Sequence, residues 1–173
     1  MSTTTHNSHG TVLVDGVASF PIGLSPPPPP GGRTPAGGDA LDEVVGAGAT
    51  FLRVGPHLGE WTDVAIADAE NWNTAAAARG IHTWIALGEL AHAQPDTPGD
   101  TRLQQVVTTL KDSPGFGIWK GQEEPYRTGF TATSLQHAYD ATGAIDPDHL
   151  FVIIEAPRGT AADLAPYLSL IHI

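Results

Sequence analysis

The sequence predicts an α/β fold built on a parallel sheet, and three observations support this prediction. Apolar segments with strand character begin near Phe20, Thr50, Ile81, Gly115 and Leu150, and they are spaced 30 to 35 residues apart. An amphipathic helical segment separates each of them from the next, which is typical of βα units. The strands are apolar on both faces, as expected for a parallel sheet that is covered on both sides.

Two architectures share this βα rhythm, namely an open doubly wound sheet and the (β/α)8 TIM barrel. The barrel is favoured because no Gly-x-Gly-x-x-Gly motif follows the first strand. A TIM barrel has eight units and about 250 residues, whereas these 173 residues contain five predicted strands. The sequence therefore predicts an incomplete TIM barrel of about five βα units, or an open variant of the same sheet.

The amino-terminal region is expected to contain a disordered tail and a hairpin. Residues 1–10 are polar and are predicted to be disordered, so the domain is expected to span residues 11–173. The segment "TVLVDGVASF" pairs two apolar runs across Asp15-Gly16, a dipeptide that favours a tight hairpin turn. The proline run Pro26–Pro30 then predicts an extended surface loop or linker.

Capping residues mark the predicted helices. Asp39 is the expected N-cap of the first helix, and Thr62 caps a second helix that stops at Gly80. A third helix is expected to have its N-cap near Asp100 or Thr101. The segments "TATSLQHAYDATGAIDP" and "GTAADLAPYL" predict two more helices on either side of the fifth strand.

The composition limits the classes of partner. The chain has 8 basic and 19 acidic residues and a net charge of −11. This charge argues against nucleic acid and anionic membranes as partners, because both require clustered Lys and Arg, and it leaves neutral or cationic ligands. Cysteine is absent, which excludes disulfides and thiolate sites. Neither a secretory signal nor a membrane-spanning apolar run is visible, so a cytoplasmic location is the default expectation.

Polar side chains collect where the predicted strands end. In a parallel barrel, functional groups lie at the carboxyl ends of the strands. Carboxylates end three of the five strands, which is more charge than a buried sheet requires. The segment "GFGIWKGQEEP" places two of them side by side before a proline. The strand-end groups are Ser25, Arg53, Glu89, Lys120, Glu123, Glu124 and Glu155.

Four phrases carry a resemblance to a known family. "VLVDGVASFPIGLSPPP", "GATFLRVGP", "RGIHTWIAL" and "LKDSPGFGIWKGQEEP", in this order, resemble the first half of a TIM-barrel glycoside hydrolase. The similarity is to the large retaining clan whose fourth strand ends in Asn-Glu-Pro or Asp-Glu-Pro. It covers about Thr11 to Tyr167, and it implies hydrolysis of O-glycosidic bonds by two carboxyl groups.

The resemblance implies roles for individual residues. Glu124, immediately before Pro125, falls where the clan has its general acid/base. Glu123 falls where many members have an Asn that contacts the sugar 2-hydroxyl, and it departs from that pattern by adding a negative charge. Arg53 resembles the strand-two arginine that orients active-site carboxylates. The clan's nucleophile lies on strand seven, beyond the five strands of this chain.

Other candidate substrate contacts are two tryptophans and a lysine. Trp61 follows the second strand in a loop, where its ring is predicted to stack on a sugar or to be packed. Trp119 lies within the fourth strand, so its alternatives are a sugar platform and a core residue. Lys120 is a candidate substrate contact or an ion-pair partner of the strand-end acids. Trp72 and Trp84 are expected in the core.

The remaining motifs exclude several chemistries. The histidines show no metal-ligand spacing, and neither a Gly-x-Ser-x-Gly elbow nor a phosphate-binding loop is present, so no metal and no cofactor is predicted. The final segment "LSLIHI", residues 168–173, resembles translated sequencing-adaptor sequence. The chain is therefore expected to be an amino-terminal fragment of a longer protein.

Three interpretations remain at this stage. The first is a glycoside hydrolase whose nucleophile is missing from this chain, with a carbohydrate as substrate. The second is a noncatalytic carbohydrate-binding or scaffold protein on the same fold, which the Glu at position 123 favours. The third is an unstable half-barrel whose exposed strand edges promote self-association.

Overall fold

A computed structural model of the chain describes residues 2–56, 60–155 and 158–170. Strands β1 to β3 form an antiparallel amino-terminal sheet in the order β1-β2-β3, and they span Thr4–His6, Val12–Val14 and Val17–Ala18. Strands β4 to β8 form a parallel sheet in chain order, and they span Gly23–Leu24, Phe51–Val54, His82–Ala86, Phe116–Glu123 and Leu150–Ile154.

Helical segments lie between the parallel strands, as the βα rhythm predicts. Helices α1 to α6 span Ala40–Gly46, Asp63–Ala77, Pro98–Leu110, Pro125–Thr128, Ala132–Ile145 and Ala161–Leu164. Two 3-10 helices span Gly88–His92 and Ala165–Leu170. Successive strands of this sheet pair in parallel. Parallel neighbours must be joined by a crossover connection, usually a helix, so this pairing confirms the predicted fold. Among the described residues, no helix is long and apolar enough to cross a membrane.

The predicted caps of the first two helices are confirmed. The carboxylate of Asp39 accepts hydrogen bonds from the backbone N–H groups of Leu41 and Asp42, at 2.9 and 3.1 Å. The hydroxyl of Thr62 accepts a bond from the N–H of Ala65 at 3.2 Å. Each bond satisfies an amide of the first turn that has no partner within the helix.

The third helix begins earlier than the predicted Asp100 or Thr101. Its first residue is Pro98, and its cap is Thr97, whose hydroxyl accepts a hydrogen bond from the Asp100 N–H at 3.2 Å. Proline suits the first helical position because an N–H group there would have no partner within the helix, and because the φ of proline is close to the helical value. The capping signal was therefore present in the sequence, three residues before the predicted start.

The parallel sheet separates two apolar layers. Its outer face packs against the helices through β-strand side chains that include Val54, Ile85, Phe116, Trp119 and Phe151. On its inner face, Phe51, Ile118, Leu150 and Val152 form a smaller cluster with Val12 from the amino-terminal sheet. The hairpin therefore covers the amino ends of the parallel strands from inside.

The expected disorder of residues 1–10 is wrong for Thr4–His6. The Thr4 side chain is buried, its hydroxyl donates to the Gly117 carbonyl oxygen, and it accepts a bond from the Leu150 N–H at 3.0 Å. The backbone N–H of Thr4 donates to the Asp148 carbonyl oxygen at 3.0 Å. These partners lie more than a hundred residues away, in β7, in β8 and in the turn before β8, so local composition does not reveal them.

The predicted hairpin turn is confirmed by its backbone geometry. Asp15 and Gly16 have φ values of 51° and 78°, the positive values that a two-residue hairpin turn requires. Strands β2 and β3 pair on either side of this turn, with Val14 opposite Val17.

A buried carboxylate ties the amino-terminal segment to the parallel sheet. Asp146 accepts a hydrogen bond from Trp119 Nε1 at 2.7 Å, and its Oδ1 lies 2.9 Å from His149 Nδ1. The other ring nitrogen of His149 lies 2.8 Å from the Ser2 carbonyl oxygen. Burial acts to raise the pKa of Asp146, but the hydrogen bonds from His149 and Trp119 and the charge of His149 outweigh burial and lower the pKa.

We expect Asp146→Asn to lower the free energy of unfolding at pH 7 by about 2 kcal/mol, because an amide keeps one oxygen acceptor where the carboxylate uses two oxygens to accept bonds from Trp119, His149 and the Asp148 N–H. The folded-state pKa of Asp146 is lowered, so its contribution is present above its unfolded pKa of about 3.9 and is lost as the pH falls through the folded pKa. The difference from wild type should therefore shrink at about pH 3.

Urea unfolding of the wild-type and Asp146→Asn proteins at pH 7 and about pH 3 measures this difference in the free energy of unfolding. Asp148→Asn is the matched control, because it removes the same charge from an exposed side chain in the same loop. Equal free energies of unfolding for the wild-type and Asp146→Asn proteins at pH 7 would contradict the assigned role.

Candidate active site

The carboxyl end of β7 presents charged side chains on the inner face of the sheet. Lys120 lies in register with Ala86 of β6 and Val152 of β8, and it follows Ile118 of the inner apolar cluster by two residues. Because side chains alternate between faces along a strand, Lys120 shares the inner face with Ile118 and Val152.

An irregularity in β7 brings Glu123 back to that inner face. The pairing register shifts between Lys120 and Glu123, so that Glu123 lies opposite Ile154. Gly121 lies inside this irregularity, and a Cβ atom on it would come within 2.6 Å of the Phe151 ring. The close approach of this ring therefore requires glycine at the position, as is common in strand bulges.

Lys120 and Glu123 form an ion pair of unequal exposure. Lys120 Nζ lies 2.6 Å from Glu123 Oε2, and 3% of the lysine side chain is exposed, compared with 61% of the glutamate side chain. A buried ammonium needs a hydrogen-bonded counter-ion, because leaving it unpaired in an apolar environment is costly. The buried cation therefore fixes an exposed carboxylate at the strand end.

Glu124 has a different environment from its neighbour. Its backbone is left-handed, with φ 48° and ψ 53°, and its N–H donates to the Ile154 carbonyl oxygen at 2.6 Å. Its half-buried carboxylate accepts a hydrogen bond from the Arg127 guanidinium, and this bond and the carboxylate charge raise the pKa of Arg127. Left-handed backbone at a non-glycine residue costs free energy and is concentrated at functional sites.

Glu155 adds a carboxylate at the end of β8. Its Oε1 accepts a hydrogen bond from the Tyr126 N–H at 3.0 Å, so it lies against the segment that follows Glu124. Its Oε2 is shielded from solvent and has no hydrogen-bond partner among the described residues. The pKa of Tyr167, in the second 3-10 helix, is raised mainly by burial and to a smaller extent by the charge of Glu155.

Glu89 does not join this group. It lies in the 3-10 helix that follows β6, and its exposed carboxylate is 3.2 Å from His92 Nε2. It lines a separate cavity of about 580 Å³ with residues of α2 and α3, among them Asp63 and Arg102. Among the described residues, no group of three or more carboxylates and histidines is arranged to hold a metal ion.

Arg53 also lies on the inner face of the sheet, but nearer than Lys120 to the amino ends of the strands. It is in register with Trp84, whereas Lys120 is in register with Ala86, two residues farther along β6. Trp84 was predicted in the core, and the structure places it partly buried on the inner face. Its ring lies against Gly23, where an added Cβ would meet Cη2 at 3.1 Å.

The two tryptophans predicted as sugar contacts are packed instead. Trp119 is fully buried among helix-facing residues, and its indole N–H is used by Asp146. The side chain of Trp61 is 5% exposed, and its Nε1 donates to the Leu87 carbonyl oxygen at 3.1 Å. Of the two alternatives given for each residue, the structure therefore supports the packed one: alternation along β7 turns Trp119 to the helices, and the Trp61 ring lies against Gly55.

Arg127 is a site residue that the sequence prediction missed. The signal was present, because Arg127 follows Glu124 by three residues and Pro125 favours the first position of a helix. Side chains three residues apart meet on one helix face, so an ion pair was foreseeable. The left-handed backbone at Glu124 was not foreseeable. No glycine or asparagine, the residues that favour this conformation, stands at that position in the sequence.

The chain was compared with known proteins. No protein-family model matches it, and no curated protein sequence matches it significantly. Among solved structures, a β-1,4-D-mannanase from Cryptopygus antarcticus superposes with a TM-score of 0.60 at 13% identity, covering 89% of this chain and 60% of that one. A glycoside hydrolase family 5 mannosidase from Rhizomucor miehei has a TM-score of 0.65 at 10% identity, covering 95% and 58%.

A third solved structure is the β-mannanase of the blue mussel Mytilus edulis, with a TM-score of 0.56 at 12% identity, covering 88% of this chain and 63% of that one. The chain therefore has the fold of glycoside hydrolase TIM barrels, as predicted. It spans about 60% of the length of these relatives. At these identities the similarity shows the fold alone.

We expect Gly121→Ala to destabilise the protein by about 2 kcal/mol, because overpacking a filled core forces neighbouring groups to shift. The added methyl group would meet Phe151 ring carbons at 2.6 Å. Thermal or urea unfolding measures the change. Gly143→Ala in α5 is the matched control: its added Cβ meets nothing within 4 Å, and alanine is favoured over glycine within a helix by about 1 kcal/mol. Equal effects of the two substitutions would contradict the described strand end.

Proposed function

We propose that this chain is the acid/base-bearing part of a retaining glycoside hydrolase that cleaves O-glycosidic bonds. The observation that carries the proposal is the left-handed Glu124 at the carboxyl end of β7, on a fold shared with mannanases. Strand ends at this edge of a parallel barrel are where such enzymes bear their catalytic groups. A β-linked mannan is the substrate class that the similar structures suggest.

The proposed reaction needs two carboxyl groups. In the first step a carboxylate attacks the anomeric carbon while Glu124, protonated, gives its proton to the departing glycosidic oxygen. In the second step Glu124 removes a proton from a water molecule, which attacks the same carbon and releases the carboxylate. The resemblance implies that the attacking carboxylate comes from a part of the barrel outside these residues.

Three further side chains, Arg53, Lys120 and Glu123, assist the proposed reaction. Arg53, on the inner face, orients carboxylates or sugar hydroxyls by its planar set of donors. Lys120 holds Glu123 in place, and Glu123 accepts hydrogen bonds from the sugar. The Arg127 guanidinium has to leave Glu124 before this carboxyl group can be protonated and face a substrate.

Azide tests the proposal, because it can replace the attacking carboxylate. With an aryl β-mannoside, azide forms a bond to the anomeric carbon, the bond to the phenol oxygen breaks, and that oxygen takes the proton of Glu124. We expect azide-dependent release of the phenol and a mannosyl azide of inverted configuration. Glu124→Gln should lower this rate by about a hundredfold or more, because the general acid is lost.

Glu89→Gln is the control for this assay, since it removes an exposed carboxylate at another strand end, and its rate should equal that of wild type. Phenol release is followed by absorbance, and the azide product is identified by NMR. Equal azide-dependent rates for wild type and Glu124→Gln would reject Glu124 as the acid.

The second candidate is a noncatalytic carbohydrate-binding protein on the same fold. The Glu124–Arg127 ion pair favours it, because the carboxylate is already occupied. Calorimetric titration with mannan oligosaccharides separates the two candidates. Binding without any azide-dependent reaction supports the binding protein, whereas a reaction that depends on Glu124 supports the hydrolase.

A further inference from the structure

His149, in the turn before β8, has a hydrogen-bond acceptor at each nitrogen of its ring. Its Nδ1 lies 2.9 and 3.0 Å from the two carboxylate oxygens of Asp146, and its Nε2 lies 2.8 Å from the Ser2 carbonyl oxygen. The His149 and Asp146 side chains are 4% and 3% exposed, so the bond between them is shielded from solvent. Because a carbonyl oxygen only accepts hydrogen bonds, the Nε2 atom of His149 must carry a hydrogen.

The carboxyl group of Asp146 also acts as an acceptor. Its Oδ2 accepts a hydrogen bond from Trp119 Nε1 at 2.7 Å, and its Oδ1 accepts one from the Asp148 N–H at 3.2 Å. Burial acts to raise the pKa of Asp146, but the bonds from His149 and Trp119 outweigh burial and lower it. Asp146 is therefore ionised at neutral pH, so the Nδ1 atom of His149 must carry a hydrogen as well. A ring with a hydrogen on each nitrogen is the imidazolium cation.

Other titratable groups lie near this ring. They are His6 of β1, Asp15 of the hairpin, His82 of β6, Asp140 of α5 and Asp148 of the same turn. Burial lowers the pKa of His82, the charge of Asp15 acts in the opposite direction, and the charge of His149 lowers the pKa further. His82 is therefore neutral at pH 7 and does not compete with His149 as a cation. From β7, the uncharged ring of Phe116 lies 4.5 Å from the His149 ring, measured between centroids.

We propose that protonated His149 is a pH-sensitive latch, which holds the amino-terminal segment on the parallel sheet and releases it as the pH rises. When Nε2 loses its hydrogen, the Ser2 carbonyl oxygen faces a lone pair instead of a donor. Nδ1 keeps its hydrogen, because ionised Asp146 remains its partner. The stability that the bond to Ser2 contributes is therefore present while the ring is protonated, and it is lost as the pH rises through the titration of the ring.

Release of Ser2 affects the contacts of β1 that follow it. The Thr4 N–H donates to the Asp148 carbonyl oxygen at 3.0 Å, and the Leu150 N–H donates to the Thr4 hydroxyl at 3.0 Å. Both bonds join β1 to the start of β8. Thr4 and Thr5 also line a cavity of about 440 Å³, together with residues of α5 and of the turn before β8. Loss of the latch therefore loosens one wall of this cavity, whereas the pairing of the parallel strands does not depend on it.

NMR of the wild-type chain tests the protonation state of the ring directly. The nitrogen-15 shifts of His149, followed between about pH 5 and pH 9, report whether each ring nitrogen carries a hydrogen. At the acid end we expect hydrogens on both nitrogens, and at the alkaline end we expect a hydrogen on Nδ1 alone. A ring that already has one bare nitrogen at about pH 6 would overturn the proposal.

Amide hydrogen exchange measures the release of the segment. The protection factors of the Thr4 and Leu150 amides should fall about tenfold over the pH interval in which the His149 ring titrates, because a hydrogen bond from a charged donor is lost. Protection factors are compared because the exchange of a free amide itself depends on pH. The amide of Val107, in the buried face of α3, is the internal control and should keep its protection. Constant protection of Thr4 and Leu150 through the titration would contradict the latch.

His149→Gln removes the titrating ring. Since glutamine is uncharged at every pH, the Thr4 amide of this variant should be less protected than in wild type at acid pH, and its protection should not change with pH. His9→Gln is the matched control, because it removes an exposed histidine of the same segment and should keep the wild-type profile. A wild-type pH profile in His149→Gln would assign the titration to another group, such as the amino terminus, and would overturn the proposal. Circular dichroism reports whether the variant is folded, and the wild-type NMR titration decides the question if it is not.

Discussion

The contact between Gly121 and the ring of Phe151 determines how β7 ends, and the candidate site depends on this ending. A Cβ at residue 121 would lie 2.6 Å from the ring, so the strand can pass at this distance only with glycine. The register shift that follows puts Glu123 on the inner face with Lys120 and leaves Glu124 at a left-handed corner. Two carboxylates adjacent in sequence thereby obtain separate cationic partners, one buried and one on the following helix.

The opposite end of the sheet is closed by a second set of polar contacts. Buried Thr4 bridges β7 and β8 with its hydroxyl, and Asp146 joins Trp119 to His149. Trp119 lies on the helix-facing side of the same strand that bears Lys120 on its inner side. The packing that holds this strand in register at one end therefore also holds the charged groups in place at the other. In the part of the chain that the structure describes, β4 and β8 are the edge strands of this sheet, and the Thr4 contacts tie the start of β8 to β7.

The similarity to mannanases and the distribution of charge give different kinds of information. The fold indicates which edge of the sheet bears functional groups, but folds of this type support many chemistries. The charges give chemical detail that the fold does not: an exposed carboxylate is fixed by a buried ammonium at the strand end. The proposed reaction therefore depends on both the fold and the strand-end side chains, of which Glu124 is the one assigned to the proton transfer.

The sequence by itself determined the βα order, the strand positions, the Asp15-Gly16 hairpin and the caps of the first two helices, because these follow from local periodicity and backbone preferences. It also identified Arg53, Lys120, Glu123 and Glu124 as strand-end groups. Only the tertiary structure decided which face each side chain occupies: Trp119 turned to the helices, Trp61 folded onto Gly55, and Thr4 became buried. The physical reason is that these placements depend on partners far away in sequence, such as Asp146 for Trp119 and Gly117 and Leu150 for Thr4, and on register shifts in β7 that local preferences do not reveal.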